Sequence, residues 1–500
     1  MKQILKETLF VLTILLLLPL TASADAIEID GIWYSLVNKA KIAEVTKDPS
    51  DSYFSGSYSG NIVIPSIINY EGINYNVTSI GDNAFGSCSE LYSIIIPNSI
   101  TDIGNYAFSG CSNLSSVELS NGLKTIGVEA FKNCESLVSL IVPESVESIK
   151  GMAFYGCNHL KYILLSSSMT EIEFGLFYMC TSLKAISIPN GVTFLKDNIF
   201  GYCESLTEIT FPNSVELLWH DVASNCPHLK TIIIGAGIQT IQTNSFANCD
   251  ELTDVYCFAE SVPTTENDAF ENSYVDYATL HVPASAISTY SASAPWSGFG
   301  NIVPITSEDI TIGDLGIGTF CGSNPIDFTG IEDIKAYVVS SYDSGTGLVT
   351  LTRTYYVPPF TGVVVKGNKG VHTIPAGVGQ PVYPNMMKGV TTNTALAKVN
   401  GDYTNYVLAN KGGNLGFYAV SDGSTLGAGK AYLPLPTADL PSSSARGLIL
   451  NFDDEDVTAI NSAKIQQPVE NGQYYDLQGR RVDNPTSGLY IVNGKKVIIK

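Results

Sequence analysis

Ten cysteines and five histidines are the side chains of this 500-residue chain with the widest choice of nucleophilic, redox or metal chemistry. Cysteines in an exported chain suggest disulfides, whereas cysteines at a fixed period indicate a structural unit that the chain repeats. The two interpretations predict different chemistry. Eight of the cysteines recur at a step of 23 residues: Cys88, Cys111, Cys134, Cys157, Cys180, Cys203, Cys226 and Cys249.

The remaining candidates offer little chemistry. His159 and His228 share one repeat position, and neither has a partner at a metal-ligand spacing. Cys321 and His372 are the two residues that could act as nucleophile and base, but no motif fixes their proximity. No phosphate-binding loop, carboxylate pair or metal-ligand cluster stands out. We therefore predict no enzyme activity, no cofactor and no metal.

Other residues keep the same register as the cysteines. A leucine follows each cysteine by three places, and a phenylalanine precedes it by three places in every unit but one, where Ala223 stands. Apolar residues six and eight places after each cysteine alternate with others, which predicts a short strand with one face inward. One such coil cannot close a core alone, so the coils must stack into a solenoid.

The pattern x-I-G-x-x-A-F-x-x-C-x-x-L-x-x-I-x-I-P, from about residue 60 to 306, closely resembles the BspA-type leucine-rich repeat. Residues 30–46 and 61–85 resemble the N-terminal cap of that family, and residues 278–305 resemble its closing unit. The resemblance implies that the cysteine side chain lies inside the coil. It also implies adhesion to host proteins, although a fold alone does not fix a ligand.

Stacked coils place the repeat cysteines about 5 Å apart with parallel Cα–Cβ bonds. A disulfide needs Cβ atoms near 3.8 Å and converging bonds. We therefore predict buried, free thiols in preference to disulfides, even in an oxidising compartment.

Composition and the chain ends indicate the compartment. Residues 1–24 have a basic start, an apolar run and a small-residue cleavage signal, which is typical of a signal peptide. The net charge of −21 and the pI of about 4.6 argue against nucleic acid and anionic membranes as partners. The sequence after residue 24 has no further apolar run long enough for a transmembrane segment. We expect a secreted or cell-surface protein.

The predicted fold is mainly β: a leucine-rich-repeat solenoid with its caps (25–306), followed by an antiparallel β-sandwich-like domain (307–456). Short alternating strands separated by Gly, Pro and Asn turns predict the second domain. An acidic stretch (457–473) is interpreted as a linker. Residues 474–500 resemble the C-terminal sorting segments of exported Bacteroidetes proteins, and Asn493-Gly494 predicts a hairpin; a small terminal β-element is the simpler alternative.

Alternation also predicts an outward column seven places after each cysteine, which carries apolar residues at five of its eight positions. A more polar column lies two places earlier in each unit. Such an apolar stripe with a polar rim is typical of a recognition surface, although strands favour β-branched residues in any case. The outward column reads Ile95, Glu118, Ile141, Leu164, Ser187, Thr210, Ile233, Tyr256, and its flank reads Ser93, Ser116, Ser139, Tyr162, Ala185, Glu208, Thr231, Asp254.

The predicted partner is an extracellular or host protein, or a glycan, held on this stripe. The alternative is a non-binding stalk that presents the C-terminal β domain. Trp219, in the unit with Ala223, either folds back over the space of the missing phenylalanine or is an exposed aromatic anchor. The candidate partner-binding residues are Ile95, Ile141, Leu164, Tyr162, Ile233, Tyr256 and Trp219.

Overall fold

A computed structural model describes residues 26–50, 56–440, 447–453, 474–475, 481–482, 488–492 and 495–499. The predicted signal peptide and the acidic linker lie outside these residues. The described part up to Asn451 forms one compact unit, and the part from Phe452 onward forms a second, small one.

The fold class predicted from the sequence is confirmed: a β-solenoid of about ten turns is followed by curled antiparallel sheets. Most coils carry one strand on what we call the strand face, where the coil of Cys180 has only a bridge from Ser187 to Thr210. In most coils a second, two-residue strand follows on another side. Equivalent strands of successive coils pair in parallel at the 23-residue register. The strand-face strands form sheets of three, two and five: Gly60–Val63, Leu91–Ile95 and Ser116–Glu118; Ser139–Ile141 and Tyr162–Leu164; Glu208–Phe211, Thr231–Ile234, Asp254–Cys257, Thr279–Val282 and Asn301–Pro304.

The second row of strands continues from the N-terminal cap. There, the meander Ile27–Ile29, Ile32–Val37 and Ile42–Thr46 joins Ile73–Ile80, which also pairs with Ile67–Tyr70. The two-residue strands are Asp102–Ile103, Thr125–Ile126, Ser148–Ile149, Glu171–Ile172, Phe194–Leu195, Leu217–Leu218, Thr240–Ile241 and Thr264–Thr265. The last coil is closed by Val275–Tyr277 (3-10), Ile287–Ser291 (α) and Trp296–Gly298 (3-10), with Trp296 fully buried.

Two inward ladders hold the coils together. The rings from Phe85 to Phe200 stack at centroid distances of 5.0 to 5.7 Å, nearly parallel from coil to coil. Each repeat cysteine from Cys111 onward directs its thiol at a main-chain carbonyl 26 residues earlier, for example Cys157 Sγ to Phe131 O at 3.1 Å. All ten cysteines are buried and outside disulfides, so the prediction of buried thiols in preference to disulfides is confirmed.

The C-terminal β domain has its own apolar core, from Ile310 to Ile374. Its largest sheets are antiparallel, with five strands each. Its elements are Glu308–Ile312, Ile317–Phe320, Ile326–Asp327, Ile334–Asp343, Leu348–Thr354, Tyr356–Val357, Val363–Gly367, Gly370–Ile374, Lys388–Val390, Thr394–Leu396, Val399–Asn400, Tyr403–Lys411, Asn414–Ala419, Ser424–Leu426, Lys430–Pro436, Thr437–Asp439 (3-10) and Ile449–Phe452.

The end of the chain forms a separate antiparallel sheet of Tyr474–Tyr475, Arg481–Val482, Gly488–Val492 and Lys495–Ile499. Val492 pairs with Lys495 across Asn493-Gly494. This register agrees with the predicted hairpin, whose two turn residues lie outside the described part.

Candidate functional site: a strand face in two parts

The strand face is built by the parallel register of the coils. Ser139, Leu140 and Ile141 pair with Tyr162, Ile163 and Leu164, so equivalent residues lie side by side on neighbouring coils. Leu140 and Ile163 point into the core, and the residues on either side of them point outward. The columns read from the sequence are therefore physical rows along the solenoid.

Four coils leave this face exposed. Ile141 and Leu164 are 70% and 53% exposed, and Ile95 is 41% exposed. The flanking Ser116 and Ser139 are also exposed, whereas Tyr162 is half-buried and burial raises the pKa of its hydroxyl. We call Ile95, Glu118, Ile141 and Leu164, with the flank Ser93 to Tyr162, the exposed strand face.

The prediction that the outward column is open to a partner is wrong for its C-terminal part. Ile233 and Tyr256 have no exposed surface, and Thr210 is buried as well. The chain's own β domain covers them: Ile233 and Tyr256 form an apolar cluster with Val378, and Phe258 and Ile305 pack against it. We call Thr210, Ile233 and Tyr256, with the flank Glu208 to Asp254, the covered strand face. Ile233 and Tyr256 leave the set of candidate partner-binding residues.

Polar contacts fix the β domain on these coils. The Tyr383 hydroxyl donates to Glu208 Oε1 at 3.1 Å, and Gln380 Nε2 donates to the main-chain oxygen of Ile188 at 3.2 Å. The Tyr256 hydroxyl donates to the Ser323 carbonyl. Loss of hydration raises the pKa of the Glu208 carboxyl to about 8, against the hydrogen bond from Tyr383, which lowers it.

The Tyr256 ring is held from a second side. It stacks on the His281 ring at a centroid distance of 4.0 Å, and His281 Nε2 lies 2.9 Å from Asp254 Oδ1. These contacts position a structural side chain and leave no open site around it.

Trp219 is not on the strand face. It precedes the turn of Ala223 and Cys226 in its coil, is 40% exposed, and lies edge-on to His220 at a centroid distance of 6.2 Å. This exposure favours the alternative in which Trp219 is an exposed aromatic side chain. Phe211, from the strand of the preceding coil, lies edge-on to Phe246 at 5.9 Å and is fully buried. Its ring therefore packs beside the phenylalanine column, against the phenylalanine of the unit that follows Ala223.

The possible nucleophile and base are not brought together. Cys321 is buried, its main-chain N donates to Gly429 O, and burial raises the pKa of its thiol to about 12. His372 Nδ1 lies 2.9 Å from Asp333 Oδ2, and His372 Nε2 lies 2.8 Å from Asn368 O. A thiol with such a pKa stays protonated near neutral pH, so this pair does not form a nucleophilic site. The part of the chain that the structure describes has no group of His, Cys, Asp and Glu residues that could hold a metal ion.

A cluster of tyrosines was missed in the sequence. Tyr155 and Tyr178 stack at a centroid distance of 5.6 Å, Tyr202 meets Tyr178 edge-on at 5.4 Å, and Lys132 Nζ lies 5.0 Å from the Tyr155 centroid. All three tyrosines lie in the turn segments next to the cysteines. A comparison of these turn positions between units would have revealed the cluster, which ties neighbouring coils together.

Glu208 and residues 375–384 were also missed as contact residues. The flanking column offered one signal, since Glu208 and Asp254 are acidic where the N-terminal units carry serine.

Residues 50–184 and 170–293 match the model of the BspA type leucine-rich repeat region, in six copies. The repeat region is a BspA type leucine-rich repeat. A leucine-rich repeat region of this family is consistent with a protein-binding role. No helix in the described part of the chain is long and apolar enough to cross a membrane.

The chain is also similar to solved bacterial structures. A leucine-rich repeat protein from Bacteroides ovatus is 25% identical, with a TM-score of 0.41 over 56% of this chain and 76% of that one. A leucine rich cell surface protein from Faecalibacterium prausnitzii is 22% identical, with a TM-score of 0.29 over 57% and 96%. The leucine-rich repeat protein of T. pallidum is 20% identical, with a TM-score of 0.25 over 48% and 85%. No curated protein matches the chain.

Proposed function

We propose that this BspA type protein is an exported, cell-surface binding protein that holds an extracellular protein partner on the exposed strand face. The observation that carries the proposal is the pair Ile141 and Leu164, 70% and 53% exposed on adjacent paired strands. A rigid row of solvated aliphatic side chains gains from burial about 25 cal/mol for each Å² removed from water. The same column is already an apolar interface where the β domain covers it.

The proposed activity is binding, because the titratable groups that we find buried serve packing. The repeat thiols and Cys321 have raised pKa values through burial, and Glu208 lies in the contact with the β domain. Trp219 stays a candidate for a separate contact, since it lies outside the strand face.

The test is capture of extracellular-matrix and other surface proteins by the immobilised full chain. Ile141→Asp combined with Leu164→Asp should abolish capture, because two carboxylates would have to be desolvated in the complex. Leu315→Asp combined with Val371→Asp is the matched control, since it adds the same charge at two exposed positions of the β domain. Circular dichroism should show that both double variants are folded.

Retained capture by the Ile141 and Leu164 variant would contradict the proposed site. If the unsubstituted chain captures no protein at all, the alternative of a stalk that presents the β domain replaces the binding function.

Export and retention are part of the same proposal. We propose that residues 1–24 direct export and that residues 474–500 act in sorting or surface retention, as their resemblances imply. Removal of the chain after Asp456 should shift the protein between the surface and medium fractions and leave the thermal unfolding of the solenoid unchanged. An unchanged fractionation would reduce residues 474–500 to a small terminal β-element.

A further inference from the structure

Residues 375–384, with the sequence PAGVGQPVYP, are the part of the β domain that crosses the covered strand face. Apart from a single bridge at Ala376, the segment has neither helix nor strand. Val378 lies in one apolar cluster with Ile233 and Tyr256, Gln380 donates to the coil of Ile188, and Tyr383 donates to the coil of Glu208. The segment therefore bridges several coils.

The contact made by Gln380 has a cause in the repeat itself. In later coils, the carbonyl that ends a strand accepts from the amide 24 residues on: Gly235 N donates to Phe211 O, and Phe258 N donates to Ile234 O, both at 2.9 Å. The residue 24 places after Ile188 is Pro212, which has no N–H. The Ile188 carbonyl lacks its ladder donor, and the Gln380 side-chain amide supplies one.

Two carbonyls of the exposed coils are in the same situation. Pro143 stands 24 places after Leu119, and Pro189 stands 24 places after Leu165. Among the described residues, no hydrogen bond reaches either of these two carbonyls. The two acceptors bracket Ile141 and Leu164 along the chain. The exposed strand face thus repeats the combination found under residues 375–384: outward aliphatic side chains beside strand-end carbonyls that face a proline.

We propose that the exposed strand face takes an extended segment of a partner protein that resembles residues 375–384: a Gly- and Pro-containing backbone, a valine-sized apolar side chain and a side-chain amide. This inference rests on the proposed function and names the chemistry of its partner. The apolar side chain packs on Ile141 and Leu164, and the amide donates to Leu119 O or Leu165 O. The flank here carries exposed Ser116 and Ser139 where the covered face has Glu208, so a tyrosine like Tyr383 is not required.

The dimensions agree with a short segment. Coils that pair as strands repeat at about 4.8 Å, and an extended chain advances about 3.3 Å per residue. About six residues therefore span the four exposed coils.

The probe is a fluorescein-labelled peptide with the sequence of residues 374–385, IPAGVGQPVYPN, titrated with the full chain by fluorescence anisotropy. We expect saturable binding that weakens about tenfold or more when the peptide carries Val378→Asp or Gln380→Glu, because each change places a carboxylate against an apolar side chain or a carbonyl. In the protein, Ile141→Asp should have a comparable effect, and the control pair Leu315→Asp and Val371→Asp should have none.

Three results would overturn the inference. Absence of saturable binding to the folded chain is one, and peptide binding insensitive to Ile141→Asp is another, since it would indicate exchange with residues 375–384 on the covered face. The third is a dimer, abolished by Ile141→Asp in analytical ultracentrifugation, which would make a second copy the occupant. Capture of a partner that depends on Ile141 while the peptide fails to bind would leave the proposed function intact and remove only this inference.

Discussion

The exposed and covered parts of the strand face are built from the same repeat and differ in what lies over them. Ile141 and Ile233 occupy the same column, four coils apart, yet Ile141 is 70% exposed and Ile233 is fully buried. Their strands, register and inward neighbours correspond. The period of a repeat therefore determines the direction of a side chain, whereas its solvent exposure is decided by contacts outside the repeat.

The largest expected effect separates these two isoleucines. Ile233→Asp should lower the free energy of unfolding by about 3–5 kcal/mol, because it leaves a charge buried without a partner. Ile141→Asp should change it by less than about 0.5 kcal/mol, as a surface substitution. Denaturant titration of both variants measures the difference. Equal losses would mean that the division of the face does not exist in solution.

The interior offers the second comparison, since only the coil of Ala223 lacks the phenylalanine of its column. Ala223→Phe should destabilise the chain by about 1–3 kcal/mol, because Ala223 is fully buried and the neighbouring Phe211 and Phe246 leave the larger ring to overpack the core. Adding Phe211→Ile to Ala223→Phe should recover most of the lost stability, since the other units have aliphatic or smaller residues at the position of Phe211. Thermal unfolding of the two variants decides this, and a neutral Ala223→Phe would show that the space is empty.

The third prediction concerns the pH dependence of stability. Of the two parts of the strand face, only the covered part should show such a dependence, through Glu208 in its flank. The pKa of Glu208 rises from an ordinary value of 4.5 to about 8 in the folded chain, so the folded state favours the protonated carboxyl. The contribution of this carboxyl to the free energy of unfolding is therefore at its full value below about pH 4.5. It falls by about 1.4 kcal/mol for each pKa unit as the pH rises, and it is lost at about pH 8.

Glu208→Gln should remove this dependence in thermal unfolding measured from pH 5 to pH 9. Ser116→Glu is the matched control, because it places a carboxylate in the same column at an exposed position and should add no such dependence. A wild-type profile that stays flat over this range would contradict the burial of the Glu208 carboxyl.

The smallest difference is expected for the reactivity of the repeat thiols, which are buried equally below the exposed and the covered strand face. Cys134, below the exposed face, and Cys226, below the covered face, are both fully buried, and burial raises both thiol pKa values. A thiol reagent should modify neither in the native protein and all ten cysteines after denaturation. Faster modification of Cys134 than of Cys226 would show that the β domain protects the coils beneath it.

Much of the solenoid could be predicted from residues in register. The 23-residue step gave the inward cysteines, the phenylalanine ladder and the outward column, because these properties depend on neighbouring coils that repeat one another. The packing of Phe211 against the phenylalanine column was missed because Phe211 belongs to a different column of the repeat. A comparison within each column does not reveal contacts between columns.

The cover over Ile233 and Tyr256 could not be predicted from the sequence in the same way. Tyr383 contacts Glu208 across 175 residues, from a domain without a period. A hydrogen bond between two such positions leaves no pattern in either segment. The expected boundary near residue 306 falls between the strands Asn301–Pro304 and Glu308–Ile312, but that connection does not reveal which coils the β domain covers.

The β domain is attached to particular coils, those of Ile188, Glu208, Ile233 and Tyr256, and the exposed coils precede them in the chain. Gain or loss of a whole coil near Ile141 therefore changes the length of the open surface by about 4.8 Å and leaves every attachment in register. The same event between Ile188 and Tyr256 would displace Gln380, Tyr383 and Val378 from their partners together. Duplication can thus tune the reach of this protein at one end of the solenoid, while the other end has a fixed coil number.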